Sequence, residues 1–317
     1  MIDQRAEVLA RVHRGDLVES AHHGHLVALG ADGEVVRDDG DPATTIYPRS
    51  SLKPVQAVAM LRAGLELDGE LLALACASHS GEPAHLDGVR RILSGAGLTE
   101  ADLRNTPTLP TDDDAAFGWR AAGNKPASIT QNCSGKHAAM LATCVAAGWP
   151  SVDYLDPEHP LQQAIRAEVV AQTGDGDPAH VGVDGCGAPL FSCRVLGLAR
   201  AFARLAVAEP GTPEHRVATA IRAHPWWLGG TGRTVTRLLE TVPGLIAKDG
   251  AEGVFAAALP DGRALAFKIV DGSARPVPVI VVAALQALGT EAPGLVDLGR
   301  VEVLGHGEPV GEVAAER

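Results

Sequence analysis

Apolar and polar positions along the chain predict strands at both ends and helices between them. Residues 6–12, 16–20, 25–30 and 34–37 read as short strands parted by Gly- and Asp-containing turns, including Asp32-Gly33, an antiparallel meander. His22, His23 and His25 fall on its second turn; neighbours on a strand face opposite ways, so a turn-surface role is favoured over a metal site. Val55, Val58, Leu61 and Leu65 then recur at three- and four-residue steps, the helical period. Residues 71–77 form a buried apolar run that stops at Ser78-His79-Ser80-Gly81-Glu82, and 86–96 an amphipathic helix.

Residues 105–132, rich in Pro, Asp, Thr and Asn around Trp119, read as a long loop of the kind used for lids. Helices are expected from about 134 to 147, then at 161–172, 193–208 and 213–223, with a strand at 179–183 leading to Asp184-Gly185-Cys186-Gly187-Ala188-Pro189. The turn Trp226–Arg233 is Gly-rich but lacks phosphate-loop spacing, so no nucleotide is assigned to it. Strands follow at 244–250, 253–259, 264–270 and 299–304, with a hydrophobic helix at 275–288. The expected fold is therefore one α+β domain over 1–317: a mostly antiparallel sheet from about 1–50 and 243–317, with a helical lobe over about 51–242 inserted.

Composition narrows the function. A net charge of −12 argues against nucleic acid or an anionic membrane as partner. The charged N-terminus is unlike a secretory signal and no apolar run reaches spanning length, which makes a cytoplasmic location the expectation. Five scattered cysteines suggest thiols or metal ligands rather than a disulfide framework. Lysine is scarce: Lys53, Lys125, Lys136, Lys248 and Lys268 are five of 27 basic side chains. Arg cannot be deprotonated, so a chain biased toward it keeps Lys where a compact amine that can lose its proton matters.

Three short motifs carry the candidate chemistry. Ser50 and Lys53 are three apart at a helix start marked by Pro54, so hydroxyl and amine share a face. Ser78-His79-Ser80 caps a buried segment, and Lys248-Asp249-Gly250 lies on a late strand. Serine β-lactamases and penicillin-binding proteins carry S-x-x-K, S-x-N and K-T-G in this order. Two ammonium groups in one pocket repel, so one should lose its proton and act as base while the other holds an anionic group. A second constellation, Cys133-x-x-Lys136 with Cys186, is either a zinc site completed by His137, Asp184 or water, or a pair of buried thiols with no metal.

The segments R-S-S-L-K-P at 49–54, C-A-S-H-S-G-E at 76–82, N-C-S-G-K-H at 132–137 and D-G-C-G-A-P at 184–189 make the chain resemble the asparaginase II family, the class 3 or thermolabile-type L-asparaginases. The resemblance implies a β-lactamase/penicillin-binding-protein-like fold, shared with glutaminases. It implies hydrolysis of L-asparagine to L-aspartate and ammonia, by an enzyme that is usually a homodimer. By position it implies two Ser–Lys pairs, Ser50 with Lys53 and Ser78 with Lys248. It also implies zinc held by Cys133, Lys136, Cys186 and water, and a pocket lined by Arg49, Asp184, His137 and Ser80. The rival readings are a glutaminase or other amidase of the same fold, and a catalytically silent zinc- or amino-acid-binding protein.

Overall fold

The structure, a computed structural model, describes residues 2–316. The N-terminal meander is β1 (Glu7–Arg14), β2 (Leu17–Leu29) and β3 (Val35–Asp39), followed by the two-residue β4 (Thr45–Ile46). A 3₁₀ turn, Arg49–Leu52, runs directly into α1 (Lys53–Arg62), whose first turn carries Pro54 where its missing N–H does no harm. Then come α2 (Gly69–Ala75), α3 (Pro83–Gly95), α4 (Asp113–Ala121), α5 (Ser134–Ala147) and α6 (Pro160–Thr173). Gly148 and Gly174, both left-handed, stop α5 and α6.

Short strands β5 (Val181–Val183), β6 (Pro189–Phe191) and β7 (Cys193–Arg194) precede α7 (Val195–Ala206), α8 (Pro213–Ala223), α9 (Pro225–Gly229) and α10 (Thr234–Thr241). The chain returns to the sheet as β8 (Ile246–Gly250), β9 (Val254–Ala258) and β10 (Ala264–Ile269). After α11 (Val277–Ala287) and α12 (Leu295–Leu298) it closes with β11 (Val301–Gly305) and β12 (Glu308–Ala315).

The main sheet runs β11-β12-β1-β2-β10-β9-β8, with β3 beside β2 as its eighth strand, and every pairing is antiparallel. First and last segments therefore share one sheet, and residues between 49 and 241 supply the helices α1–α10. Every residue of β9 and β10 is buried, so these strands read as apolar runs interrupted by Lys268 alone, and α7 packs on them. Phe255 and Phe267, opposite each other in the register, stack with centroids 5.7 Å apart. Strand β8 lies at the sheet's edge, against the 3₁₀ turn that leads into α1. Among the described residues no helix is long and apolar enough to cross a membrane.

Three expectations are corrected. Strands 16–20 and 25–30 are one strand, β2, and His22, His23 and His25 lie within it rather than on a turn. Gly24, which suggests a turn, is a close-approach residue: a Cβ there would sit 2.3 Å from the Lys268 carbonyl oxygen on β10. His22 and His25 are buried, bonded to the Asp271 carboxylate and the Ile2 carbonyl. The supposed loop 105–132 contains α4, started by the Asp112 carboxylate accepting from Ala115 N. The closing strand β12 was not foreseen; its stretch Glu308–Ala315 alternates too weakly to stand out.

Candidate active site

Three separate elements bring a serine hydroxyl between two amines. Ser78 follows α2, and its backbone N–H is fixed by the Leu228 carbonyl at 3.0 Å. Lys53 Nζ, from the first residue of α1, donates to Ser78 Oγ at 3.2 Å and to the Ala77 carbonyl. Lys248 Nζ, from the middle of β8, donates to the same Oγ at 2.9 Å. Both lysines and Ser78 are buried, whereas Ser50 is only half-buried. The two expected pairs therefore converge on one atom: Lys53 is bonded to Ser78, not to Ser50 one turn before it.

The electrostatics of the two amines are unequal. Burial, helped by the positive charge of Lys53, pulls the Lys248 pKa down to about 8 against the opposing pull of Asp249. Burial disfavours the Asp249 carboxylate, but Lys248 and Arg233 outweigh it and hold Asp249 ionised well below the usual range. Lys248 is thus an amine that can shed its proton near neutral pH, which is what a general base requires.

Beside this cluster, Cys133 at the start of α5, Lys136 one turn on, and Cys186 in the β5–β6 turn meet. Lys136 Nζ lies 3.2 Å from Cys186 Sγ, and Asp184 Oδ2 lies 3.9 Å from that sulfur. Hydrogen bonding from the Cys186 thiol, with the charges of Lys53 and Lys136, lowers the Cys133 pKa well below its ordinary value despite burial. The same contact and burial push Cys186 up. Burial works against the Lys136 charge, yet the two sulfurs and Asp184 overcome it and raise its pKa. Asp184 also accepts from Arg49 Nε at 2.8 Å. Arg49 holds a left-handed φ of +54°, uncommon for a side chain of its size. It borders a cavity of about 480 Å³ shared with Tyr47, His180, Glu252 and Lys268.

The remaining predicted residues divide. His137 sits beside the lysine–thiol cluster: its Nδ1 pairs with the Tyr154 hydroxyl at 2.8 Å, while its buried Nε2 has no partner. Burial, then Lys136 and Lys53, lower its pKa well below 6.5, so the ring is neutral. Ser80 points elsewhere, donating to the Gly229 carbonyl at 2.8 Å. His79 has a fixed tautomer: Gly81 N donates to Nδ1 at 3.1 Å, and Ser134 Oγ, which itself donates to the Ile129 carbonyl, lies 2.9 Å from Nε2. Among the described residues no three His, Cys, Asp or Glu side chains are grouped to hold a metal; the candidate set counts a lysine amine among its donors.

With this geometry in hand, comparison with known families is decisive: residues 10–315 match the L-asparaginase II family model. The chain belongs to that family. A search of curated proteins returned no significant match. Among solved structures it is similar to a β-lactamase from Mycobacterium bovis, at 15% identity over 84% of this chain and 95% of that one, TM-score 0.47. It is similar to a putative β-lactamase from Bacteroides dorei, at 15% identity over 84% and 94%, TM-score 0.48. Mglu in its native form is 14% identical over 84% of this chain and 64% of that one, TM-score 0.46.

This asparaginase II family member is an amidohydrolase, and its cluster contains residues that sequence reasoning passed over. Asp249 has no role assigned to it from the sequence, although it directly follows Lys248 on the strand and binds its amine. Arg233, closing the Gly-rich turn, donates to Asp249 Oδ2 at 2.9 Å. Tyr154 is fully buried and orients His137. Nothing in the local sequence flagged Tyr154; for Asp249 the signal was its place beside a buried lysine.

Proposed function

We propose that the chain is an L-asparaginase, releasing ammonia from the side-chain amide of L-asparagine through an acyl-enzyme on serine. The observation that carries this reading is the pair of buried amines, Lys53 and Lys248, on one serine hydroxyl. Ser50, half-buried and one turn before Lys53, is the nucleophile: Lys53, having passed a proton through Ser78 to neutral Lys248, takes the Ser50 proton, and Oγ attacks the amide carbon. Ser78, bonded to both amines, relays the proton to the leaving ammonia. Lys248 then activates the water that cleaves the ester and frees L-aspartate. A second reading makes Ser78 the nucleophile, and it is favoured by the Lys53–Ser78 bond itself. Ser50→Ala and Ser78→Ala, each incubated with L-asparagine and searched by mass spectrometry for an acyl adduct on the other serine, separate the two.

Cys133, Lys136 and Cys186 fit a zinc ion in donor chemistry: two sulfurs, one already inclined to the thiolate, and a buried amine that the sulfurs and Asp184 hold protonated here and that would give up its proton to a bound metal. When bound there, zinc supplies positive charge that orients the amino-acid end of the substrate. Asp184, held ionised because Lys136 and Arg49 outweigh its burial, offers the partner for the substrate's α-ammonium group. His137, neutral and with a free Nε2, offers a further contact on the same side.

The test is ammonia release from L-asparagine and L-glutamine by the purified chain, with and without zinc. Faster turnover of L-glutamine would move the assignment to a glutaminase. No release from either amide would leave an amino-acid-binding protein.

A further inference from the structure

Helix α9 and the Gly-rich turn that joins it to α10 have no role in the chemistry above, yet together they are latched onto the segment that carries Ser78 at several points. Leu228 O accepts from Ser78 N at 3.0 Å, and Gly229 O accepts from Ser80 Oγ at 2.8 Å. Thr231 donates through its backbone N and its hydroxyl to the two carboxylate oxygens of Glu82, both at 2.8 Å. Trp226 stacks on the buried His85 ring, centroids 4.1 Å apart and 6° from parallel, and its Nε1 donates to Thr231 Oγ1 at 3.0 Å. A turn held this firmly delivers its last side chain, Arg233, to a defined place, which is Asp249 Oδ2 at 2.9 Å.

Asp249 in turn grips the amine of Lys248 twice, through its carboxylate oxygen Oδ1 and, at 2.8 Å, through its own backbone carbonyl. With Ser78 Oγ as the third acceptor, all three N–H bonds of a Lys248 ammonium group are accounted for. We propose that Asp249, oriented by Arg233, is a positioning residue that aims Lys248 at Ser78 and sets the charge that this lysine carries at rest. The proposal rests on the reading of Lys248 as the base and goes beyond it by assigning the two residues that control that base.

The groups facing Lys248 make the sign of each effect definite. Lys53 from α1 and Arg233 from the latched turn are positive, and Asp249 on its own strand is negative. Cys76, at the end of α2, is pushed up to about 12 by burial and is a neutral thiol. Asp249 favours the ammonium form; Arg233 opposes it, both by its own charge and by drawing on the same carboxylate. Removing one must move the titration of Lys248 opposite to removing the other, which no purely mechanical role of the pair produces.

The experiment is the pH dependence of kcat/KM for ammonia release from L-asparagine by the purified full chain. Variants are Asp249→Asn, Arg233→Gln, Arg233→Lys and Lys248→Met, each checked for folding by circular dichroism. The neutral amine is the active form, so activity rises through an acid limb set by Lys248. Asp249→Asn is expected to move that limb down by about one pH unit, and Arg233→Gln to move it up by a similar amount. Arg233→Lys, which keeps the charge, should lie near the parent. Limbs that stay put in both variants, or shift in the same direction, overturn the proposal while leaving the active-site reading intact. An unchanged acid limb in Lys248→Met removes the active-site reading itself, and the proposal with it.

Discussion

Replacing Gly230 by Ala tests how closely the latched turn and the catalytic segment are fitted. Gly230 has φ +112° and ψ −177°, a region essentially reserved for glycine. A Cβ there would lie 2.0 Å from Ser80 Oγ, and 2.7 Å from both Ser80 Cβ and Glu82 Oε1. The Ser80 hydroxyl could rotate away, at the loss of its bond to Gly229 O, but its Cβ moves only with the backbone two residues beyond Ser78. Gly232, two positions along the same turn, has φ +71° and nothing within 4 Å of an added Cβ. It serves as the internal control, carrying backbone strain without the collision. Strain alone is worth about 1–2 kcal/mol at Gly232. Overpacking at Gly230 adds about 1–3 kcal/mol, and a lost Ser80 hydrogen bond about 1 kcal/mol more. Gly232→Ala should therefore cost about 1–2 kcal/mol and Gly230→Ala about 3–6 kcal/mol. Urea unfolding followed by circular dichroism, with equal m-values confirming a like transition, gives both numbers, and kcat should fall only in Gly230→Ala. Equal losses within about 0.5 kcal/mol would refute the close fit.

Gly24→Ala, whose Cβ would meet the Lys268 carbonyl at 2.3 Å and Leu9 Cδ1 at 2.6 Å, should destabilise by about 2–3 kcal/mol in the same urea assay. A cost near zero would mean that β2 and β10 are not in this register. His79 and His137 are buried with pKa values well below 6.5, burial being the first cause in each. The unfolded chain takes up their protons below about pH 6.5 while the folded one does not, so stability is full above that pH and falls as the medium acidifies. Two such protons give a slope of about 3 kcal/mol per pH unit, measurable as the urea midpoint between about pH 6.5 and 5; a flat profile would contradict their burial. On the proposed zinc site and mechanism, chelation should raise KM for L-asparagine and leave kcat nearly intact, because the serine and lysine groups are proposed to supply the nucleophile. A collapse of kcat with unchanged KM would put the metal in the chemistry instead.

The sequence carried the broad architecture because its strong signals are periodic. The Val55–Leu65 spacing, the apolar runs at 254–258 and 264–269, and the Ala-rich segment after Ser134 all correspond to elements. It also carried the identity of the clustered groups, since a lysine-poor chain places Lys53, Lys136 and Lys248 within conspicuous motifs. What it could not carry is which hydroxyl each amine reaches. Spacing puts Lys53 beside Ser50, but the direction of α1 and the way α2 ends send its amine to Ser78, a tertiary fact. Gly24 misled for the same reason, since a glycine needed for close strand approach and one needed for a turn look alike in one dimension. Helix α4 was hidden because it lies inside a Pro-, Asp-, Thr- and Asn-rich stretch and buries none of its own side chains, so no apolar face marks it.

The position of β8 has a consequence for how the enzyme comes into being. Ser78, Lys53, Cys133 and Cys186 all leave the ribosome before Lys248 does, and the strand that brings this last amine is an outermost one, zipped onto β9 by the chain that follows. A partly made polypeptide therefore holds the hydroxyl without its second amine. On the proposed mechanism, amide-cleaving power thus waits for the last of these strands to be made rather than accumulating along the way.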